Sequence, residues 1–419
     1  MQNRRSSTAF TLASVLPRKR KVHGIPAAAG LVLVLVVVVA LEGCHHSAKA
    51  PRAAFAPGPP LSEESRVAND LQRSLSAFLL PLRRGELSPA HTDPDERQRY
   101  AFFYESLLRG ARDAEPVVLK SYPIDEGSFL ITVAFLTGAA DALRISRIVE
   151  LEARPIEGGF RFRCPYEYRT AQLRRHAIGD VTFRFRGPFD KERATDFTRF
   201  KAEFERHLGR EPSPLVYDCF QSLDELLHAF GLVHDASKCN FLRHDLGFLW
   251  DDGRRFATGT AKENYIFGYV RAALSTGAAT PAETYRPYVN GIAAYYGGYG
   301  LSGDSMEVLA RQFRDEVERR PTIDFLEEFQ KGRKSSVQRH FSFYVMCAFL
   351  YEEIVARHGA PTALQLVNSG PRGERFFSEL ERLIGVTEES VHETILRLMD
   401  ADRSRSGRAR SRRRSGGAS

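Results

Sequence analysis

The chain has 419 residues, with 43% hydrophobic and 11% aromatic content, enough for about two packed domains plus tails. Its formal net charge is +8. Arg4, Arg5, Arg18, Lys19, Arg20 and Lys21 at one end and Arg403, Arg405, Arg408, Arg410, Arg412, Arg413 and Arg414 at the other supply more than that, leaving about −5 between them, so a chain-wide basic footprint for DNA or RNA is excluded and no nucleic-acid partner is expected.

The first element in chain order is a targeting segment. RKRK at 18–21 precedes an uncharged apolar run, GIPAAAGLVLVLVVVVAL, at 24–41. A basic flank, an apolar stretch and small residues describe a secretory signal. The run is also long enough to cross a bilayer uncleaved. It ends in Leu41-Glu42-Gly43-Cys44, which resembles a bacterial lipobox with Cys44 as the lipidated residue; Glu42 departs from the small or apolar residue usual there. Residues 1–44 are therefore a signal peptide or a signal anchor. Either one tethers the body to a membrane outside the cytoplasm, in a bacterial cell envelope. Residues 45–60, rich in Ala and Pro, read as a flexible tether.

From 61 to 177 the pattern predicts an α+β domain. LSEESRVANDLQRSLSAFLLPL aligns Val67, Leu71, Leu75, Phe78 and Leu79 near one helical face, and HTDPDERQRYAFFYESLLRG repeats the signal with Asp93 before Pro94 as a start. Four strand-like runs follow at 117–124, 127–136, 142–154 and 158–170, separated by turns such as DEG and EGG. In the third, Leu143, Ile145, Val149 and Leu151 point one way, and Arg144, Ser146, Glu150 and Glu152 the other. Helices followed by a four-strand antiparallel meander resemble NTF2-like (cystatin-like) modules in element order.

A second domain is expected from 178 to 402. It begins with a strand at 179–185, a helix at 189–209, a strand at 214–220, a helix at 222–232 and a short strand at 254–259. Helices follow at 263–275, 286–296, 305–318, 322–330, 337–358, 360–369, 374–384 and 387–400. The basic tail 403–419 has no apolar residue able to drive folding and reads as disordered. Among the body's cysteines, Cys219 and Cys239 bracket one predicted helix at a spacing that permits a disulfide in an exported chain; Cys164 and Cys347 suggest buried thiols.

This order, together with GTAKENYI at 259–266 and GIAAYYGG at 291–298, resembles the gluzincin class of zinc peptidases. More narrowly, it resembles the peptidase-MA-like proteins of the bacterial envelope. The resemblance implies a zincin-like domain in which one helix carries HExxH and the next supplies a glutamate ligand. Two His one turn apart would hold zinc, and the Glu between them would polarise water. At the matching positions stand Phe267, Gly268 and Arg271, with Asn290 at the third-ligand position. Phe267 has no lone pair, Gly268 has no side chain, Arg271 is a fixed cation and Asn290 is a poor zinc ligand. No metal, cofactor or catalytic residue is assigned on this reading.

No other motif replaces the missing one. GxSxG and phosphate-loop patterns are absent. His392-Glu393 has Leu396 where a second His would stand. His228, His234 and His244 fit no single helix face, and His340 opens an apolar helix. Tyr295, Tyr296 and Tyr299 read as helix-end packing, and Asp251-Asp252 as a turn. The expected function is non-catalytic binding of a peptide, protein or envelope component. The alternatives are a hydrolase with a relocated site among the histidines, and a purely structural envelope scaffold.

Overall fold

The structure, a computed structural model, describes residues 63–402 except 126, 139–141, 236–246, 278–283, 300–303, 335–340 and 371. Cys44, Cys239, His244 and His340 lie outside the described residues. So do the apolar run, the tether and the basic tail. No helix among the described residues is long and apolar enough to cross a membrane.

The first half opens with α1 (Glu63–Leu82), α2 (Pro94–Arg99) and α3 (Ala101–Ala111). Asp93 caps α2 by accepting from the amides of Asp95 and Glu96, and Pro94 takes the first helical position, where no amide is needed. Then come β1 (Glu115–Pro123), β2 (Phe129–Thr137), β3 (Arg144–Ile156) and β4 (Gly159–Arg163), an antiparallel meander in chain order. The fourth predicted strand is shorter than expected. Its second half, which follows Pro165, is the helix α4 (Tyr166–Thr170). The α1 and α3 side of the sheet buries Leu75, Phe78, Phe103, Leu107, Val149, Leu151 and Phe162.

The second half carries a mixed sheet in the order β5 (Arg174–Ile178), β6 (Val181–Phe185), β7 (Leu215–Cys219), β10 (Arg255–Thr258), β9 (Gly247–Trp250). Here β6, β7 and β10 run parallel, while β5 and β9 are antiparallel edges. The crossovers are α5 (Lys191–His207) and α6 (Leu223–Ala229). The helical remainder is α7 (Ile266–Gly277), α8 (Arg286–Gly297), α9 (Met306–Arg319), α10 (Phe325–Lys334), α11 (Phe341–His358), α12 (Ala360–Leu364), a 3₁₀ turn (Gln365–Asn368), α13 (Phe376–Ile384) and α14 (391–402). The architecture is α+β, as the sequence patterning predicts.

Contacts cross the expected domain boundary at 178. A short strand, β8 (Leu232–Asp235), leaves the second half and pairs with β3 of the first sheet. Phe220, Leu226, Leu227, Phe230 and Leu232 belong to the core under α1 and α3. Beside them, Asp218 on β7 accepts the Tyr166 hydroxyl at 2.5 Å and the Arg184 guanidinium at 2.6 Å. Arg255 pairs with Glu167 and stacks over the Tyr166 and Trp250 rings. Tyr100 completes the chain by donating to Glu167 at 2.6 Å. Burial acts to raise the Glu167 carboxyl, but hydrogen bonds from Arg255 and Tyr100 outweigh it and hold it at about 2. This network ties α4 to the second sheet with its charged groups answered.

Candidate functional site

The helix pair α7 and α8 forms the second half's centre. The two pack closely because small residues face backbone. A side chain at Gly297 would press on Phe267 Cα at 2.8 Å, and one at Gly291 on the Cys347 backbone carbon at 3.0 Å. The C-terminal turn of α8 therefore lies on the first turn of α7, while the middle of α8 meets α11. Of the four positions, Phe267, Gly268 and Arg271 lie on α7 and Asn290 on the facing α8, and Arg271 and Asn290 have Tyr344 as a common neighbour.

Their surroundings are those of packed helices. Phe267 is buried, with its ring 6.4 Å from that of Tyr265. Gly268 has no room for a side chain, since a Cβ there would overlap Cδ1 and Cε1 of the buried Tyr265 ring. Sequence reasoning missed Tyr265, which stands immediately before α7; its signal was an aromatic three residues before a glycine. Arg271 is half-buried, and desolvation pulls its guanidinium down to about 10, against a smaller opposing influence from Tyr344. Asn290 donates from Nδ2 to the Tyr344 hydroxyl at 3.3 Å. The ring of Tyr299 lies 6.4 Å from Tyr344. This half-buried floor offers guanidinium, amide and phenol groups rather than metal-binding electron pairs.

The other sequence candidates are dispersed. His228 contacts Glu150 Oε2 at 3.2 Å from the edge of the first sheet. His234 pairs in register with Ile148 on β3. His392 stacks on Phe325 at 4.7 Å. Tyr296 shares a hydroxyl contact of 2.8 Å with Tyr351, and Tyr295 packs on the same ring at 5.3 Å. Asp251 and Asp252 both sit at positive φ in a turn, and Asp251 pairs with Arg99 at 3.4 Å. Cys164, Cys219 and Cys347 are buried free thiols. Burial pushes Cys219 up to about 12. Among the described residues, no group of three or more His, Cys, Asp or Glu is arranged to hold a metal ion.

A buried polar cluster and a surface groove also stand out. Lys201 on α5 is fully buried, and its ammonium meets Asp180 at 2.5 Å and Glu205 at 2.8 Å. Glu205 also accepts from Ser213 and Tyr269, so the buried charges are answered and the cluster fixes α5 against α7. On the first half, a surface groove of about 490 Å³ is walled by Leu87, Pro89, Pro94, Ala101, Tyr104 and Leu108. Its lining contains one acid, Glu105, and neither His nor Cys. No protein-family model matches the chain, and no curated protein matches it.

Proposed function

We propose that the protein is an exported, membrane-tethered binding protein whose second half is a non-catalytic relative of zinc peptidases. The observation that carries this reading is the α7–α8 pair. The four positions lie on two helices that pack together, yet the place above Gly268 is filled by the Tyr265 ring, Phe267, Gly268 and Arg271 offer no lone pair, and Asn290 is a poor zinc ligand. The sheet supports the same reading, with three parallel strands linked by α5 and α6, an antiparallel edge β9, and the helix pair next in sequence. The floor's donors, Arg271, Asn290 and Tyr344, suit an acidic group on a peptide, protein or envelope component. The export proposal rests on the basic flank, the apolar run at 24–41 and Cys44.

The test is binding of a fluorescent oligoglutamate peptide, with an oligolysine peptide as control. The reading expects the acidic peptide to bind in preference to the basic one, and to lose affinity on Arg271→Gln. Equal binding of both peptides, or an Arg271→Gln variant that binds as well as the parent, contradicts it. Nothing in the positions of His228 or His234 favours a relocated catalytic site.

A further inference from the structure

The second face of the first sheet holds a group of charges that the peptidase comparison does not touch. On this face the strand register aligns Tyr122, Leu130, Glu152 and Arg163 across β1 to β4, with Lys120, Thr132 and Glu150 one rung along. The alternating pattern of β3 predicts that Glu150 and Glu152 meet solvent. Instead they are 3% and 1% exposed. The reason is a canopy of cations. Glu152 Oε1 accepts from Arg163 at 2.7 Å and Arg154 at 2.8 Å. Glu150 is bound by Arg169 from α4, by Thr132 at 3.3 Å, and by Lys120 at 4.0 Å.

The carboxylates are thus buried counter-charges and the cations lie outermost. Lys120 is 58% exposed, and Arg169 and Arg163 are 26% and 22% exposed. A guanidinium fixed on one edge by a buried carboxylate presents its other edge ready-aimed, with its rotamer freedom already lost. Beneath the canopy, Arg163 Nε and Arg169 Nε are buried with no acceptor and Glu152 Oε2 is buried with no donor, while the Arg169 side chain also meets the Tyr122 hydroxyl. Buried polar atoms of a native fold are normally satisfied, by protein, water or ligand. Lys120, Arg154, Arg163 and Arg169 outnumber Glu150, Glu152 and the Glu96 carboxyl beside Arg163, although the chain around them is mildly acidic.

We propose that this face is a binding site for a small oxyanion group, a phosphate or carboxylate, seated between Arg163, Arg169 and Lys120. The outward N–H groups of the two guanidiniums and the Lys120 ammonium supply charged donors to such an oxyanion. The site belongs to the first half and does not rest on the cleft reading, and its variants are different ones.

The experiment is calorimetric titration of the purified full chain in detergent with inorganic phosphate and with acetate. Sedimentation with phosphatidylglycerol and phosphatidylcholine vesicles is the second arm. Phosphate or acetate should bind at low ionic strength and weaken on adding salt. Lys120→Gln, which sits at the exposed rim and threatens no core, should weaken binding several-fold. Arg163→Lys keeps the charge beside Glu152 but loses the fork, and should cost about tenfold or more. Binding to phosphatidylglycerol vesicles that fails in the same two variants, with no effect of soluble anions, also supports the site and assigns its oxyanion to a lipid headgroup. No binding in either arm, or affinities unchanged in both variants, overturns the proposal.

Discussion

A single methyl group at residue 268 distinguishes a filled site from a vacant one. Replacing glycine by alanine in a helix ordinarily stabilises by up to about 1 kcal/mol, because glycine's backbone entropy is no longer lost. At Gly268 the new Cβ overlaps the Tyr265 ring, whose Cζ would lie 3.0 Å away. That ring cannot swing aside cheaply. It is 4% exposed, its backbone amide donates to the Tyr217 hydroxyl at 3.2 Å, and a side chain at Gly247 on β9 would already approach its Cε1 at 3.3 Å. Overpacking of this kind costs about 1–3 kcal/mol. The clash therefore exceeds the helix gain, and Gly268→Ala should destabilise by about 1 kcal/mol, lowering Tm by roughly 2–4 °C. Urea denaturation and thermal melts of the single variants and of Gly268→Ala/Tyr265→Ala give the coupling between the two sites. It should be about 1–2 kcal/mol, with the alanine tolerated once the ring is gone. A Gly268→Ala variant more stable than the parent would refute the reasoning, since it would mean that the space above Gly268 is open.

Four further outcomes follow from the same physics. Burial raises the Glu96 carboxyl from 4.5 to about 7, with Arg163 opposing. The folded state keeps a proton that the unfolded state releases, so stability falls as pH rises through that window and is flat above it. Glu96→Gln should therefore stabilise above about pH 7, by about 3 kcal/mol at most, and converge on the parent towards pH 4.5; equal stabilisation at both ends would contradict this. Arg255→Met leaves Glu167 without its cation and removes the guanidinium from the Tyr166 and Trp250 rings, and should destabilise by about 1–3 kcal/mol in urea, the figure being reduced because Glu167 is partly exposed. Unfolding should stay a single transition by fluorescence and circular dichroism, because residues 220–232 sit in the first half's core; two separated transitions would show that the halves are independent. Cys164, Cys219 and Cys347, buried and with thiols pushed upward, should react with a thiol reagent only after unfolding, and rapid labelling of the native chain at any of them would count against that burial.

Much of the fold was legible in the sequence, for identifiable reasons. The long helices follow apolar periodicity, and Asp93-Pro94 marks a start that its side chain caps as expected; Asp190 and Ser222 cap α5 and α6 in the structure as well. Three strands went unread. β5 is RRHAI, an edge with charges where apolar residues would betray a strand, and β8 and β9 are four residues each. FRFRCPYEYRT reads as one alternating run, but its second half after Pro165 is helical, with Tyr166 turned into the core. Along β3 the alternation predicts the core side at Val149 and Leu151, while Leu143 and Ile145 are exposed because the ladder shifts register between Phe135 and Leu136. Of the candidate site, apolar periodicity placed Phe267, Gly268, Arg271 and Asn290 on two successive helices, where the structure has them. The Tyr265 ring and the cation canopy over Glu150 could not, because both depend on side chains that only the folded backbone brings together.

The central claim is that the matched positions form a packed helix pair rather than a metal centre. The most direct test is to offer zinc to the purified full chain in detergent, remove the excess and measure bound metal per chain by mass spectrometry. The account predicts no zinc above the background of a denatured control, and no change on Arg271→Ala or Asn290→Ala. Stoichiometric zinc that is lost in either variant would contradict it.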